Sequence, residues 1–420
     1  MAQLSPYAYL SQAVRIRFSF VLSIICIDNL EFHLKEVAHL TDYIVRPGDT
    51  LSSIARLFDI PFPLLLSANP EIVDPESLFE GQTIHFPPGY PMRQMIEVNG
   101  YAFPDIDGQV LLDTLEYLTY LSIFNYQIKP DGTLVGIDDT PLIQMARQAF
   151  VAPLLVIANT DDDGSFSSDL VHAILTDELL QITLTNNVIW ILKSKNYFGL
   201  NINFENISPS DREAYTRFLQ TVTANLHPLG YIVVSSGALR LNENRYGLLF
   251  GAEQYPVLYS REVNRVSIIV TYEFGYTYGP PMAVVPLNQI HRALDNLVSI
   301  IPSKNILMGM TNYGFDWALP YNTSMPAYML SFAQAKELAL HTGATIQFDQ
   351  EAQSPFFYYQ DDMGVLHLVW FDDEASIRAR LELIRLYNLG GVSFWTINQF
   401  SPESYLALIE LYDVRKMLSA

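Results

Sequence analysis

Tyr197-Phe198-Gly199-Leu200-Asn201-Ile202-Asn203-Phe204-Glu205 sets Leu200, Ile202 and Phe204 in strict alternation with Asn201, Asn203 and Glu205. Successive side chains of a strand point to opposite faces, so the stretch has one apolar face and one polar face that ends on a carboxylate. Two readings fit the nonapeptide alone. It is either a buried parallel strand that presents an acid at its end, or an ordinary strand whose last Glu sits beside a helix N-terminus.

The surroundings bear on that choice. Strand-like apolar runs recur at Met95–Ala102, Tyr117–Tyr126, Pro153–Thr160, Gly199–Ile207, Tyr231–Ala238, Val266–Glu273, Ile306–Tyr313 and Gly391–Ile397, with helical stretches between them. Eight such strands alternating with helices predict an α/β fold, a (β/α)8 TIM barrel. In that architecture the inward residues at the C-terminal ends of the strands build the site, which makes Glu205 a candidate acid. After the fourth strand, Ser208-Pro209-Ser210-Asp211 predicts a helix start, with Ser208 as N-cap, Pro209 in the first helical position and an acid three residues after the cap. The segment from about Trp317 to Asp373 is too long and too aromatic for a loop. Its pieces Ile346–Phe348, Pro355–Tyr359 and Val365–Trp370 predict a small α+β insertion, about 318–373, that walls one side of a cleft between strands seven and eight.

Residues 41–89 form a smaller unit. Tyr43-Ile44-Val45 predicts a strand and Pro47-Gly48-Asp49-Thr50 a turn. A helix over Leu51–Phe58 follows, capped by Asp49 or Thr50, then a second helix over Pro63–Asn69 and a returning strand in Gly81–Pro87. Pro87-Pro88-Gly89-Tyr90-Pro91 reads as a linker to a domain spanning 90–420. Residues 1–40 read as an N-terminal extension. Arg15, Arg17 and the apolar run Phe18–Ile27 imitate the start of a secretory signal, but no small-residue cleavage site follows and the run is too short to span a bilayer.

Composition narrows the function. Half of the 420 residues are hydrophobic, enough for a large core, and the formal charge of −21 without basic clusters lacks the footprint of a nucleic-acid binder. Contact with an anionic polymer must then work through neutral groups, by stacking and hydrogen bonding, for which 25 Tyr, 24 Phe and 4 Trp are suited. The single cysteine, Cys26, excludes an intrachain disulfide and a CxxC metal site. No HExxH or P-loop occurs and the eight histidines are scattered, so no metal or other cofactor is expected.

Beyond these readings, YIVRPGDTLSSIARLF, SANP and GQTIHFP together resemble a LysM module. The resemblance implies a shallow groove for N-acetylglucosamine-containing glycans, lined by Gly48, Asp49, Thr50, Asn69 and Pro70, although these residues also suit plain turns. The barrel resembles glycoside hydrolase family 18, and within it the LysM-bearing bacterial branch associated with spore germination and cortex peptidoglycan. The motifs are the fourth-strand DxxDxDxE pattern on Phe198–Glu205, Val270–Gly275 with Gly279–Met282, Gly309 with Tyr313–Trp317, Gln353–Pro355, His367–Phe371 and Gly390–Trp395.

That resemblance implies substrate-assisted retaining hydrolysis, in which an acid protonates the glycosidic oxygen and the substrate's own acetamide attacks the anomeric carbon. It makes Glu205 the acid, Tyr272 the hydroxyl that orients the acetamide, and Trp395 the stacking floor. Glu273 becomes a second carboxylate, and Asn201, Tyr313 and Asp316 further substrate contacts. Tyr272 as packing and Trp395 as barrel core are the alternatives. The chain departs from the pattern at Phe198, Asn201 and Asn203, where the family has Asp. Asn203 still offers a hydrogen-bond acceptor but no charge, a loss of about 3 kcal/mol, on the order of a hundredfold in rate.

The expected function is a peptidoglycan-directed glycosidase of the spore or cell wall, monomeric, with no nucleic-acid or membrane partner. The alternatives are a weak or inactive glycan-binding spore protein and a chitinase.

Overall fold

The computed structural model describes residues 42–45, 48–58, 60–87, 93–238, 241–244, 247–250, 263–269, 280–322, 324–325, 327–399 and 401–418. They fall into two compact units divided after Met92. The expectations for residues 1–40, the Pro88–Pro91 linker, Tyr272 and Glu273 lie outside the described residues.

The small unit is the expected βααβ arrangement. Asp42–Ile44 pairs antiparallel with Thr83–His85, Tyr43 opposite Ile84, around helices Leu51–Leu57 and Phe62–Ala68. Its core gathers Tyr43, Leu51, Ile54, Phe58, Leu65, Ile84 and Phe86. Thr50, rather than Asp49, caps the first helix. Its side chain accepts from the Ser53 N–H while the Ser53 hydroxyl accepts from the Thr50 N–H, a reciprocal pair. Asp49 instead takes the Tyr43 hydroxyl at 2.7 Å.

The large unit is a closed barrel of eight parallel strands: Gln94–Ala102, Tyr120–Ile128, Ala152–Ala158, Gly199–Asn203, Ile232–Ala238, Arg265–Ile269, Ile306–Thr311 and Gly391–Trp395. The first strand pairs with both the second and the eighth, which completes the ring. The chain's end closes the floor, where Met417 and Leu418 pack against the cluster of Tyr120, Leu154 and Val234. Just above them Glu97 receives Arg265 through two bonds of 2.6 Å and the Tyr120 hydroxyl at 3.1 Å.

Two expectations need correction. The seventh strand stops at Thr311, and Tyr313–Ala318 turns back into the insertion, so the insertion begins before 318. The polar pair Thr311-Asn312 stands at this break in an otherwise apolar run. The break is made by buried Asn312, whose amide donates to the Thr396 and Gln399 carbonyls, both at 2.7 Å. The insertion is a five-stranded antiparallel sheet, in the order Tyr328–Ser331, Tyr313–Ala318, Leu366–Trp370, Ser354–Gln360, Gln347–Asp349, with helix Phe332–Thr342 on one face.

The helix after the fourth strand also starts differently. A short 3-10 turn, Pro209–Asp211, leads into Arg212–Leu226, and the Ser208 side chain makes no capping bond. Its hydroxyl pairs with Ser210, while Asp211 is drawn away to His172 at 2.9 Å.

Removing one partner of the buried ion pair strands the other. Glu97→Ala is expected to lower stability by about 3 kcal/mol, read by urea denaturation, and the double variant Glu97→Leu/Arg265→Met to recover most of it. Equal losses in both would show that the pair has no such role.

Candidate active site

The fourth strand is oriented from outside. Leu200, Ile202 and Phe204 are fully buried on its outer face. Phe204 stacks on Phe218 at 5.7 Å and lies 5.8 Å from Tyr215, both on the following helix. With a period of two, this packing turns Asn201 and Asn203 into the barrel. A slip of one residue would expose the amides to the apolar layer of helices.

Inside, Asn201 joins a layer of neutral hydrogen-bonding groups. Its amide nitrogen donates to the Tyr101 hydroxyl and to Ser122, each at 3.0 Å, and its oxygen accepts from Ser236 at 2.6 Å. Tyr101 donates to Ser236 at 2.6 Å, Ser122 to Asn99 at 2.8 Å, Asn99 to Ser393 at 2.8 Å and Ser267 to Ser393 at 2.9 Å. Six of the eight strands contribute to the network. An Asp at 201 could accept from Ser236 but could not donate to Tyr101 or Ser122, so Asn is the residue this layer requires. Asn201, expected to touch substrate, has every amide group committed to its neighbours.

Aromatic side chains lie above this layer. Trp395, half-buried, is met edge-on by Phe124 at 5.0 Å, Tyr101 at 5.2 Å and Phe103 at 5.8 Å. Three T-shaped neighbours fix the plane of the indole and leave part of it accessible, the geometry a stacking floor needs. Burial pushes the Tyr101 hydroxyl up from its ordinary pKa. Hydrogen bonds with Ser236, Ser267 and Asn201 act in the opposite sense, and the Glu205 carboxylate adds to the rise.

Asn203 differs from Asn201 although only one residue separates them. It is fully buried, and both its amide oxygen and its amide nitrogen lack a hydrogen-bond partner among the described residues. Leaving such a group unpaired costs about 1–3 kcal/mol.

Other expected contacts lie elsewhere. Tyr313 is buried with Phe315 and Trp317 in the main core. Asp316 occupies the opposite face of the same strand, where it accepts from the Tyr359 hydroxyl at 2.6 Å and pairs with His367 at 2.8 Å. It is a fastening of the insertion sheet, and His367 takes part in that fastening. Sequence reasoning missed Tyr101, Phe124 and Asn159. Asn159 had one usable signal: it continues the outward series Leu155 and Ile157, a place where an apolar residue is expected.

In the small unit, Gly48 and Pro70 are exposed and Gly48 turns with φ of +86°. Asn69 is fully buried. Its nitrogen donates to the Leu65 carbonyl at 2.8 Å and the His85 carbonyl at 2.6 Å, and its oxygen accepts from the His85 N–H at 2.6 Å. It ties the second helix to the second strand and has nothing left to offer a glycan.

The model of Glycosyl hydrolases family 18 matches residues 106–399, and that of the LysM domain matches residues 43–87. The chain belongs to glycosyl hydrolase family 18. It is 33% identical over 431 residues to the cortical fragment-lytic enzyme of Bacillus subtilis (strain 168), covering 89% of this chain and 98% of that protein. Identity to the cortical fragment-lytic enzyme of Bacillus anthracis is 34% over 302 residues, covering 71% and 69%. The crystal structure of the spore cortex-lytic enzyme SleL of Bacillus megaterium QM B1551 superposes with a TM-score of 0.72 at 32% identity, covering 90% of this chain and 87% of that one.

In this family 18 glycoside hydrolase with an N-terminal LysM domain, Asn69 and Asn201 are both committed to hydrogen bonds within the chain. Asn69→Ala removes three bonds and is expected to destabilise the LysM domain by about 3 kcal/mol, seen as earlier loss of amide-exchange protection in residues 43–87. Unchanged protection would mean that the clamp is dispensable.

Proposed function

We propose that the chain hydrolyses N-acetylglucosamine linkages of cortical peptidoglycan by substrate-assisted retaining catalysis and that the LysM domain holds it on that glycan at the spore or cell wall. In this reading the Glu205 carboxyl gives its proton to the glycosidic oxygen as the C1–O bond breaks. The carbonyl oxygen of the substrate's 2-acetamido group forms a bond to C1 and gives an oxazolinium. Water then adds at C1 as the bond from C1 to the acetamido oxygen breaks and the acetamide re-forms; the water loses a proton to the Glu205 carboxylate, and the acid is restored.

The observation that carries the reading is the unpaired, buried amide of Asn203, on the inward face one turn of the pleat before Glu205. It offers hydrogen bonds at the position from which an acetamide can be held. Trp395 serves as the apolar floor under the sugar, and the overall negative charge leaves stacking and neutral hydrogen bonds as the means of grip. Tyr272 and Glu273 are assigned by their sequence positions, Tyr272 to orient the acetamide and Glu273 to supply part of the charge that Asn203 lacks. Gly48, Asp49, Thr50 and Pro70 are the proposed glycan contacts of the LysM domain.

The missing charges at 201 and 203 favour one competing reading, a glycan-binding spore protein that turns over little. Defined cortical fragments, incubated with the purified chain and analysed by mass spectrometry, separate the two. The wild type is expected to release reducing ends, Glu205→Gln to lose at least a thousandfold, and Asn203→Asp to gain on the order of tenfold to a hundredfold. If wild type is as silent as Glu205→Gln while both sediment with cortex, the binding-protein reading stands.

A further inference from the structure

The Asn159 side chain bonds both main-chain groups of Glu205. The Glu205 N–H donates to the Asn159 amide oxygen at 2.9 Å, and the Asn159 amide nitrogen donates to the Glu205 carbonyl at 2.9 Å. The same nitrogen donates to the Ser167 carbonyl at 3.0 Å, and the Ser167 N–H returns a bond to the Asn159 carbonyl at 2.8 Å. Asn159 is fully buried, one residue beyond the third barrel strand, and Ser167 caps the next helix. A planar amide fixed at strand and helix cap therefore grips both hydrogen-bonding groups of Glu205.

We propose that Asn159 is a positioning residue for the acid, a role that rests on the reading of Glu205 as proton donor. The fourth strand ends at Asn203, two residues before Glu205. Without Asn159 both of these main-chain bonds to Glu205 would be lost. Asn206, the next residue, adopts a left-handed φ of 59°, where a non-glycine residue needs outside support. It receives that support from the same loop: its side chain donates to the Phe166 carbonyl at 2.9 Å, and the Ser168 hydroxyl donates to the Asn206 carbonyl at 2.8 Å. Misplacement of a proton donor by about 1 Å costs on the order of a hundredfold in rate, whereas substrate held by other groups binds nearly as before.

The test uses the full chain and soluble cortical fragments, comparing wild type, Asn159→Ala, Asn159→Ser, Glu205→Gln and Glu97→Ala. Asn159→Ala is expected to lower kcat on the order of tenfold to a hundredfold with KM within about threefold, to shift the alkaline limb of the kcat–pH profile, and to speed hydrogen exchange at the Glu205 amide. Glu97→Ala, destabilised on the floor of the barrel, is expected to keep its kcat and pH profile below its melting temperature. Asn159→Ser gives the same reading should the alanine variant fail to fold. Faster exchange with unchanged kcat and pH limb overturns the proposal, as does a Glu97→Ala variant that loses kcat equally. A wild type no faster than Glu205→Gln overturns the acid assignment and the positioning role with it. Protection of the Glu205 amide in that wild type would distinguish this from failure of the clamp itself.

Discussion

Closure of the barrel at the seam between the first and eighth strands is the constraint on which the rest depends. Gly391 lies opposite Glu97 across that seam, and a Cβ built on it would collide with the Glu97 carbonyl. Gly390 stands in the same relation to the Lys304 carbonyl on the side of the seventh strand. Two successive residues without side chains let the eighth strand enter between its neighbours. Only then do Ser393 and Trp395 reach the interior, one to receive Asn99 and Ser267, the other to meet Tyr101 and Phe124. The hydrogen-bonded layer and the aromatic floor are both consequences of that entry.

Above the layer the strands end, and backbone pairing can no longer fix the chain where the chemistry is needed. Side-chain amides take over. Asn312 holds the carbonyls of Thr396 and Gln399 beyond Trp395, Asn398 accepts the Phe103 N–H, and Asn159 holds Glu205. Asparagine suits the task because one short planar group donates and accepts at once, matching the two needs of a peptide that has lost its ladder. Asn69 performs the same service in the LysM domain, between helix and strand.

The alternation in Leu200–Glu205 was legible because one face is buried among helices, and burial imposes a strict period of two. The eight strands and the βααβ unit were legible for the same reason, with turn residues marking their ends. Periodicity is silent about partners. It could not distinguish Asn69 as a clamp from Asn69 as a groove residue, nor tell that Asp316 faces Tyr359 and His367 while Phe315 and Trp317 on the same strand face the core. The polar pair Thr311-Asn312 does not by itself tell a turn-back from a continuing strand, and Ser208 had a cap sequence without a cap because its hydroxyl pairs with Ser210 and Asp211 with His172.

Asn201 and Asn203 show how one residue type can take opposite parts on a single strand face. At 201 an amide is the better choice, since its two donors and its acceptor are all met by hydroxyls and a carboxylate would leave two of those hydroxyls without a donor. At 203 the same amide is a cost to the folded chain, because nothing among the described residues answers either of its atoms. A core position selected only for stability would carry an apolar side chain there, as Val156 does on the neighbouring strand, opposite Asn201 in the register. An unpaired group of this kind costs the folded chain about 1–3 kcal/mol. Stability therefore accounts for Asn201, whereas the folded chain alone gives no such account of Asn203.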